Sequence, residues 1–283
     1  MQPISVIISS YNRLDYLHKA LISIRSQSVI PAEVIVSDDG SGEPIVAFLQ
    51  EIAPLFDFKI RLVMQEDRGF RLARCKNNGI RASRENFLVF WDQDVVGTKG
   101  YLETFWKQRK PGRFLVSYPV RLNEEQTRRL TEEDLRGGRF DHLLKKEQIA
   151  KIHRQYRKDL FYFWWRKLFA RNDTRPKLRG GVFAAFKEDL LKVNGFDEKY
   201  QGWGNEDDDL GRRLYAAGIV GFNPFYHEFP LHLYHPPNHQ NGQRVNRDYY
   251  EQRQKEIRKG KIRAEHGIEN PLGEDEIRIM DIK

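Results

Sequence analysis

The feature that most constrains this 283-residue chain is the alternation, in its first third, of short β-branched runs with helical stripes. Residues 3–9 (PISVIIS), 33–37 (EVIVS), 59–64 (KIRLVM) and 86–91 (NFLVFW) read as strands. Between them, 14–26 carries apolar residues at 14, 17, 20, 21 and 24, the stripe of an amphipathic helix; 45–52 and 71–82 also read as helices. Strands separated by helical patterns predict βαβ units and an α/β, mostly parallel sheet. In such sheets ligands bind beyond the carboxyl ends of the strands. Two of those ends carry paired acids: Asp38-Asp39 after the second strand and Asp92-Gln93-Asp94 after the fourth.

Several classes are excluded. One cysteine, Cys75, rules out a disulfide framework and a zinc ribbon. No run of 18 uncharged apolar residues occurs, so no membrane-spanning helix is expected. With no leader-like start, a reducing cytoplasmic setting is the expectation. A G-x-G-x-x-G after the first strand and a G-x-x-x-x-G-K-[ST] are both missing, against a dinucleotide Rossmann domain and a P-loop NTPase. Any nucleotide phosphate must then be held by a metal or by basic side chains. The formal charge of +8 points to a polyanionic partner. A pure polyanion binder, however, would not need the four consecutive acids Glu206-Asp207-Asp208-Asp209.

Each acidic cluster has two readings. Asp92-x-Asp94 is a plausible divalent-cation site, because Mg²⁺ and Mn²⁺ take carboxylate oxygens together with substrate phosphates. Alone the triplet is also what a solvated loop gives, but the apolar strand before it provides a rigid, buried platform. Asp38-Asp39-Gly-Ser is either a turn or a pair of acceptors for a base N–H or a ribose hydroxyl. Asn205 with its four acids is either a capped helix start complementing the macrodipole, or a crowded cluster in which at least one raised pKa suits a general base. Trp203 just before it offers a flat apolar wall. His232-x-x-His235 is either a packed pair or a ligand pair; its segment is not helical, so a zinc-protease motif is out.

Taken together, VIISSYNR (6–13), VIVSDDGS (34–41), RGFRLARCKNNGI (68–80), FLVFWDQD (87–94), RGGVFAAFKEDLLKVNGFDE (179–198) and GWGNEDDDLGRRL (202–214) resemble a family-two glycosyltransferase with the GT-A fold. The last block is similar to the W-G-x-E-D-x-D segment of beta-1,4-galactosyltransferases and of chondroitin-polymerase-like enzymes. The resemblance implies nucleotide binding by Tyr11, Arg13, Asp38, Asp39, Lys76 and Asp92, with Lys76 standing where the family has Arg. It implies Asp94 and His235 as metal ligands, with His232 the fallback, for Mn²⁺ or Mg²⁺. It implies Asp207 as catalytic base, and Glu206 and Trp203 at the acceptor. The expected activity is inverting transfer from a nucleotide-sugar donor, a UDP-sugar, to a hydroxyl of a glycan or lipid-linked glycan, with no nucleic acid as partner. The alternatives are a nucleotidyltransferase that makes the sugar nucleotide, and a non-catalytic polyanion binder.

The expected organisation is one domain over 1–240, divided into a nucleotide-sugar half (1–120), a helical insertion (121–177) and an acceptor half (178–240). A polar, peripheral tail follows over 241–283. Between Lys145 and Arg171 nine Lys/Arg face two acids and interleave with aromatics. That stretch is expected to touch an anionic membrane surface, roof the acceptor site, or pack its aromatics on the sheet. The run 160–165, apolar all round, favours packing.

Overall fold

The structure, a computed structural model, describes residues 1–169, 174–179, 181–236, 245–274 and 276–283. Its strands are β1 (Gln2–Ser10), β2 (Pro31–Asp38), β3 (Lys59–Met64), β4 (Phe87–Asp92), β5 (Val95–Gly97), β6 (Arg113–Val116), β7 (Val120–Arg121), β8 (Phe183–Phe186), β9 (Val220–Phe222), β10 (Pro230–His232) and β11 (Arg278–Asp281). Among the described residues the main sheet has eight strands in the order β11-β3-β2-β1-β4-β8-β6-β9. The βαβ signal produces the parallel block β3-β2-β1-β4. The sheet is nevertheless mixed, because β8 runs antiparallel to both β4 and β6, and β11 antiparallel to β3.

The parallel strands are apolar along their whole length because both faces are covered. Ile4, Val6 and Ile8 of β1 pack under Leu17, Leu21 and Ile24 of the helix Leu14–Arg25. Ile7 faces the other way, toward Ala73 and Ile80 of the helix Leu72–Ala82. There a Cβ at Gly79 would strike the Ile7 side chain, so glycine permits the close helix–strand approach. That helix buries a polar face, and the reason lies in another motif. Asn77 Nδ2 donates to Phe196 O (2.9 Å) and Glu198 Oε1 (2.8 Å), and Phe196 N–H donates back to Asn77 Oδ1 (2.9 Å). The blocks 68–80 and 179–198 are thus docked by a satisfied buried network.

Two expectations are corrected. The stretch beyond residue 244 is not peripheral: the helix Arg247–Arg258 buries Arg253 against Asp197 and Asp209, and β11 closes the edge of the main sheet by pairing with β3. Polarity hides these elements because the helix docks through the charge-paired Arg253 and β11, mostly exposed, joins the sheet through its backbone. The run 160–165 is likewise not a packed apolar segment. It belongs to one long helix, Lys146–Phe169, in which Asp159 is the buried residue while Phe161, Trp164, Leu168 and Phe169 are exposed. Among the described residues no helix is long and apolar enough to cross a membrane.

Candidate active site

The carboxyl ends of β1, β2 and β4 lie side by side, since Ser9 registers with both Ser37 and Asp92. Their loops supply the floor of the site. Gln93, between the two acids of D-x-D, clamps it: its Oε1 accepts from Ser10 Oγ (2.9 Å) and Tyr11 N–H (3.2 Å), and its Nε2 donates to Tyr11 O (3.0 Å). The sequence reading passed over this residue because it looked like a spacer. Tyr11 Oη also lies 3.2 Å from Asp67 Oδ2. Asn12 and Arg13 both take left-handed backbone conformations, φ 53° and 56°. Such strain is kept only where surrounding contacts over-determine it. Here Glu43 accepts from the N–H groups of Arg13 and Leu14 (3.1 Å each), and Ser41 Oγ accepts from that of Asn12 (2.7 Å).

Asp38 and Asp39 are buried and fully engaged. Asp38 accepts from Ser41 Oγ (2.5 Å), Ser41 N–H (2.8 Å) and Gly40 N–H (3.2 Å), the pattern of an Asx turn. Asp39 accepts from Arg71 N–H (2.9 Å) and Gln65 Nε2, and burial pushes its pKa up to about 6.

The small sheet β5-β10-β7 does what no linear motif specifies. Antiparallel pairing sets His232 opposite Val95, and Leu233 N–H donates to Asp94 O (2.8 Å). Asp94, His232 and His235 therefore meet. Asp94 Oδ2 lies 2.9 Å from His235 Nε2 and 3.6 Å from His232 Nε2. One ligand atom from each residue falls within 4.8 Å of the others. Burial works against the charged form of Asp94, but the hydrogen bond from His235 and the charges of His232, His235 and Arg13 hold its carboxyl below the usual value. Burial lowers the His232 pKa, which favours the neutral, ligating imidazole, while the bond to Asp94 raises that of His235. Asp94 Oδ1 is buried without a hydrogen-bond partner among the described residues. Two imidazoles and a carboxylate with one orphaned oxygen fit a divalent cation; the nitrogen donors suit Mn²⁺ better than Mg²⁺, which demands oxygen.

Asp92 sits beside this cluster. Gly181 packs flush on it, and a Cβ there would collide with its carboxylate. Burial pushes the Asp92 pKa up to about 6, opposed by Lys76 and aided by Asp94. Lys76 is the buried cation of the site: its Nζ is 3.2 Å from Asp207 Oδ1. Burial alone would lower its pKa, but Asp207, Asp92 and Glu206 more than offset this and hold it above the ordinary lysine value. A fork is not needed for that task; a compact ammonium among three carboxylates suffices.

The four acids of the EDDD run separate. They start the helix Glu206–Ala216, and a helix turns each successive side chain by about 100°. Asp209 turns back to Arg213 (2.6 Å), and Asp208 pairs with Arg212 (3.1 Å), Lys177 (3.4 Å) and Tyr250. Glu206 and Asp207 remain next to Lys76. Burial raises the pKa of Asp209, and of the two acids left in the site it is Glu206 that is raised, pushed up to about 7 by burial and the Asp207 charge. Its Oε2 has no partner among the described residues. The side chain of Asn205 does not cap the helix; the residue is left-handed, φ 79°. With Gly202 (φ 76°) and Gly204 (φ 100°) it forms the tight turn that leaves Trp203 42% exposed.

Residues 5–176 match the model of glycosyl transferase family 2, and residues 166–236 match that of the N-terminal domain of galactosyltransferase. The chain belongs to glycosyl transferase family 2. It is 27% identical over 230 residues to the chondroitin synthase of Escherichia coli, covering 76% of this chain and 32% of that one. It is 28% identical over 244 residues to the validoxylamine A glucosyltransferase of Streptomyces hygroscopicus subsp. limoneus, covering 76% and 48%. The chain thus spans about a third to a half of these relatives. Among solved structures it is similar to S. aureus TarS 1-349 in complex with UDP-GlcNAc (TM-score 0.60, 14% identity, 94% of this chain and 68% of that one). It is also similar to the mannosyltransferase PcManGT from Pyrobaculum calidifontis in complex with GDP-Man and Mn²⁺ (TM-score 0.52, 18% identity, 78% and 54%).

Proposed function

We propose that this protein moves a sugar from a UDP-sugar to a hydroxyl of a glycan or lipid-linked glycan, with inversion. The observation that carries this reading is the convergence of Asp94, His232 and His235 beside the Asp92–Lys76–Asp207 cluster at the ends of β1 and β4. Asp94 and His235, joined by His232, would hold Mn²⁺, or less readily Mg²⁺. A divalent cation there supplies Lewis-acid stabilisation of the departing diphosphate.

The chain's own residues do the rest. Tyr11, Arg13 and the β2-end acids Asp38 and Asp39 line the nucleotide side. Asp92 lies nearer the ribose, held by Lys76. Asp207 is the base: its side chain is partly open to the site, and Lys76 Nζ holds its Oδ1 at 3.2 Å. A base and no covalent step imply one in-line displacement and inversion. A positioned base is worth ~10²–10⁴-fold in rate. Glu206, buried and protonated near neutrality, would bind the acceptor beside Trp203.

A second reading exchanges the two acids. Its support is the pKa of Glu206 near 7, close to the ideal of a general base. Donor hydrolysis and transfer across UDP-, GDP- and dTDP-sugars, with Mn²⁺ and with chelator, test the activity. Asp207→Asn is expected to keep UDP binding and lose transfer roughly 10²–10⁴-fold. Near wild-type turnover in Asp207→Asn, with loss in Glu206→Gln, would move the base to Glu206.

A further inference from the structure

The helix Lys146–Phe169 has an outer face that the site does not use. Lys151, Arg154, Arg157, Lys158, Phe161, Trp164 and Leu168 recur at spacings of three and four and are all exposed, a single stripe. Its first half is cationic and its second half aromatic and aliphatic. The exposures of Phe161 (57%), Trp164 (47%), Leu168 (73%) and Phe169 (57%) are far above what an isolated surface hydrophobe needs for explanation. From 148 to 169 the sequence has one acid, Asp159, and it is turned inward to accept from Asn223 Nδ2 (2.8 Å). The inner face is anchored elsewhere too: His153 stacks on Tyr226 (4.2 Å between ring centres) and Phe163 lies against Phe222 (4.9 Å).

At the foot of the aromatic half lies an open cavity of about 280 Å³ lined by Lys110, Arg113, Arg166, Lys167, Phe163 and their neighbours, four cations and no acid. Arg113 is spread over the rings of Phe163 and Phe222, and Arg166 over Tyr215. The Nε and Nη2 of Arg166 are buried without a hydrogen-bond partner among the described residues. The nearby carboxylate of Asp189 is already committed to Gly112 N–H (2.9 Å) and Lys192 (2.7 Å). Lys167 Nζ, 4.9 Å from the Trp164 ring centre, joins the cavity to the stripe.

We propose that this stripe and the cationic cavity beneath it form a docking surface for an anionic phospholipid bilayer, with a headgroup phosphate seated in the cavity. Charge selects the occupant: beyond the exposed Glu147 of the helix's first turn, the stripe and the cavity carry these cations and no exposed acid among the described residues, which fits a negative sheet, and a second copy in a twofold contact would set cations against cations. The aromatic half selects a bilayer over a purely polar polyanion, since Trp, Phe and Leu partition into the headgroup–acyl boundary beside Lys and Arg. The helix lies flat in the interface; it does not span. Lys177, Nζ 3.4 Å from Asp208, connects the segment after this helix to the EDDD helix, so docking would bring the acceptor side toward the lipid. That last link rests on the transferase reading; the docking does not.

The test is co-sedimentation of the whole chain with phosphatidylglycerol/phosphatidylcholine vesicles and with phosphatidylcholine alone. Binding is expected to the anionic vesicles only, and to fall at least tenfold on raising salt to about 0.5 M. Arg154→Gln, Arg157→Gln and Lys158→Gln together should weaken it roughly 100-fold, at about fivefold per cation. These side chains are exposed, so an unchanged thermal melt verifies folding. Trp164→Ala with Leu168→Ala should weaken binding to both salt-free and salted vesicles. Equal binding to neutral vesicles, or none at low salt, overturns the proposal. So does a chain that ignores vesicles but is stabilised by inorganic phosphate, binds single-stranded nucleic acid instead, or dimerises through Trp164.

Discussion

Two acidic loops end the strands on either side of β1 in the same parallel block, and they are in opposite states. At the end of β2, both carboxylates are satisfied: Asp38 by Ser41 and Gly40, Asp39 by Arg71 and Gln65. At the end of β4, Asp92 Oδ1 and Asp94 Oδ1 are buried without a partner among the described residues, as is Glu206 Oε2 across the site. Buried polar atoms left unpaired are costly and rare, and call for an ion, a water or a ligand. At the end of β2 the carboxylates spend their hydrogen bonds within the protein; at the end of β4 buried oxygens stay open to an ion or ligand.

The sharpest way to break this comparison is Asp94→Ala. It should abolish metal-dependent UDP binding and lower transfer by roughly 10³-fold, the scale of several kcal/mol of Lewis-acid stabilisation. His235→Ala and His232→Ala should lose less, with His235 the larger because it is the closer at 2.9 Å. Titration calorimetry with Mn²⁺ and UDP reads all three; metal-independent binding in Asp94→Ala would return D-x-D to an ordinary loop.

Next in size is the pH dependence of stability in metal-free protein. Glu206 holds its proton to about pH 7 in the fold but only to 4.5 when unfolded. Between those values the unfolded chain releases a proton that the fold retains, so stability falls as pH rises, and is level above. A shift of this size is worth on the order of 3 kcal/mol. Glu206→Gln should remove that slope, gaining at pH 8 relative to pH 5. Parallel melts of the two proteins in chelator decide it; identical slopes would mean that Glu206 ionises freely.

Asp38→Ala should cost about 1–3 kcal/mol of stability by stranding the turn's donors. If instead the melt is unchanged and UDP binding is lost, the β2 loop belongs with the β4 loop and the contrast fails. The smallest effect is expected from Gln93→Ala, about 1 kcal/mol, read by denaturant midpoint, since two of its three hydrogen bonds are only partly buried.

Much was legible because it is local. The strand runs at 3–9, 33–37, 59–64 and 86–91 and the helical stripes between them need only periodicity, and they correspond to β1–β4 and their helices. The crowded acids predicted a raised pKa, and two are raised, Glu206 and Asp209, each first by burial. Less legible was which acids face the site: consecutive residues on a helix diverge by about 100°, so Asp208 and Asp209 serve ion pairs while Glu206 and Asp207 face Lys76. The polarity of 245–283 hid a helix and a sheet strand because the helix docks through the charge-paired Arg253 and the exposed strand through its backbone, which no hydropathy pattern marks.

The sequence by itself determined the parallel block, the acids at its strand ends and the kinship that six ordered motifs carry. Only the tertiary structure decided what those residues meet. Asp94 and His235 are separated by about half of the chain, and the register of β5 against β10 is what sets their ligating atoms 2.9 Å apart. The outward turn of Phe161, Trp164 and Leu168 was likewise decided by what the opposite face of their helix found to pack against, Phe222, Tyr226 and Asn223. A periodic stripe says which residues share a face; only the partners of the opposite face say which way it points.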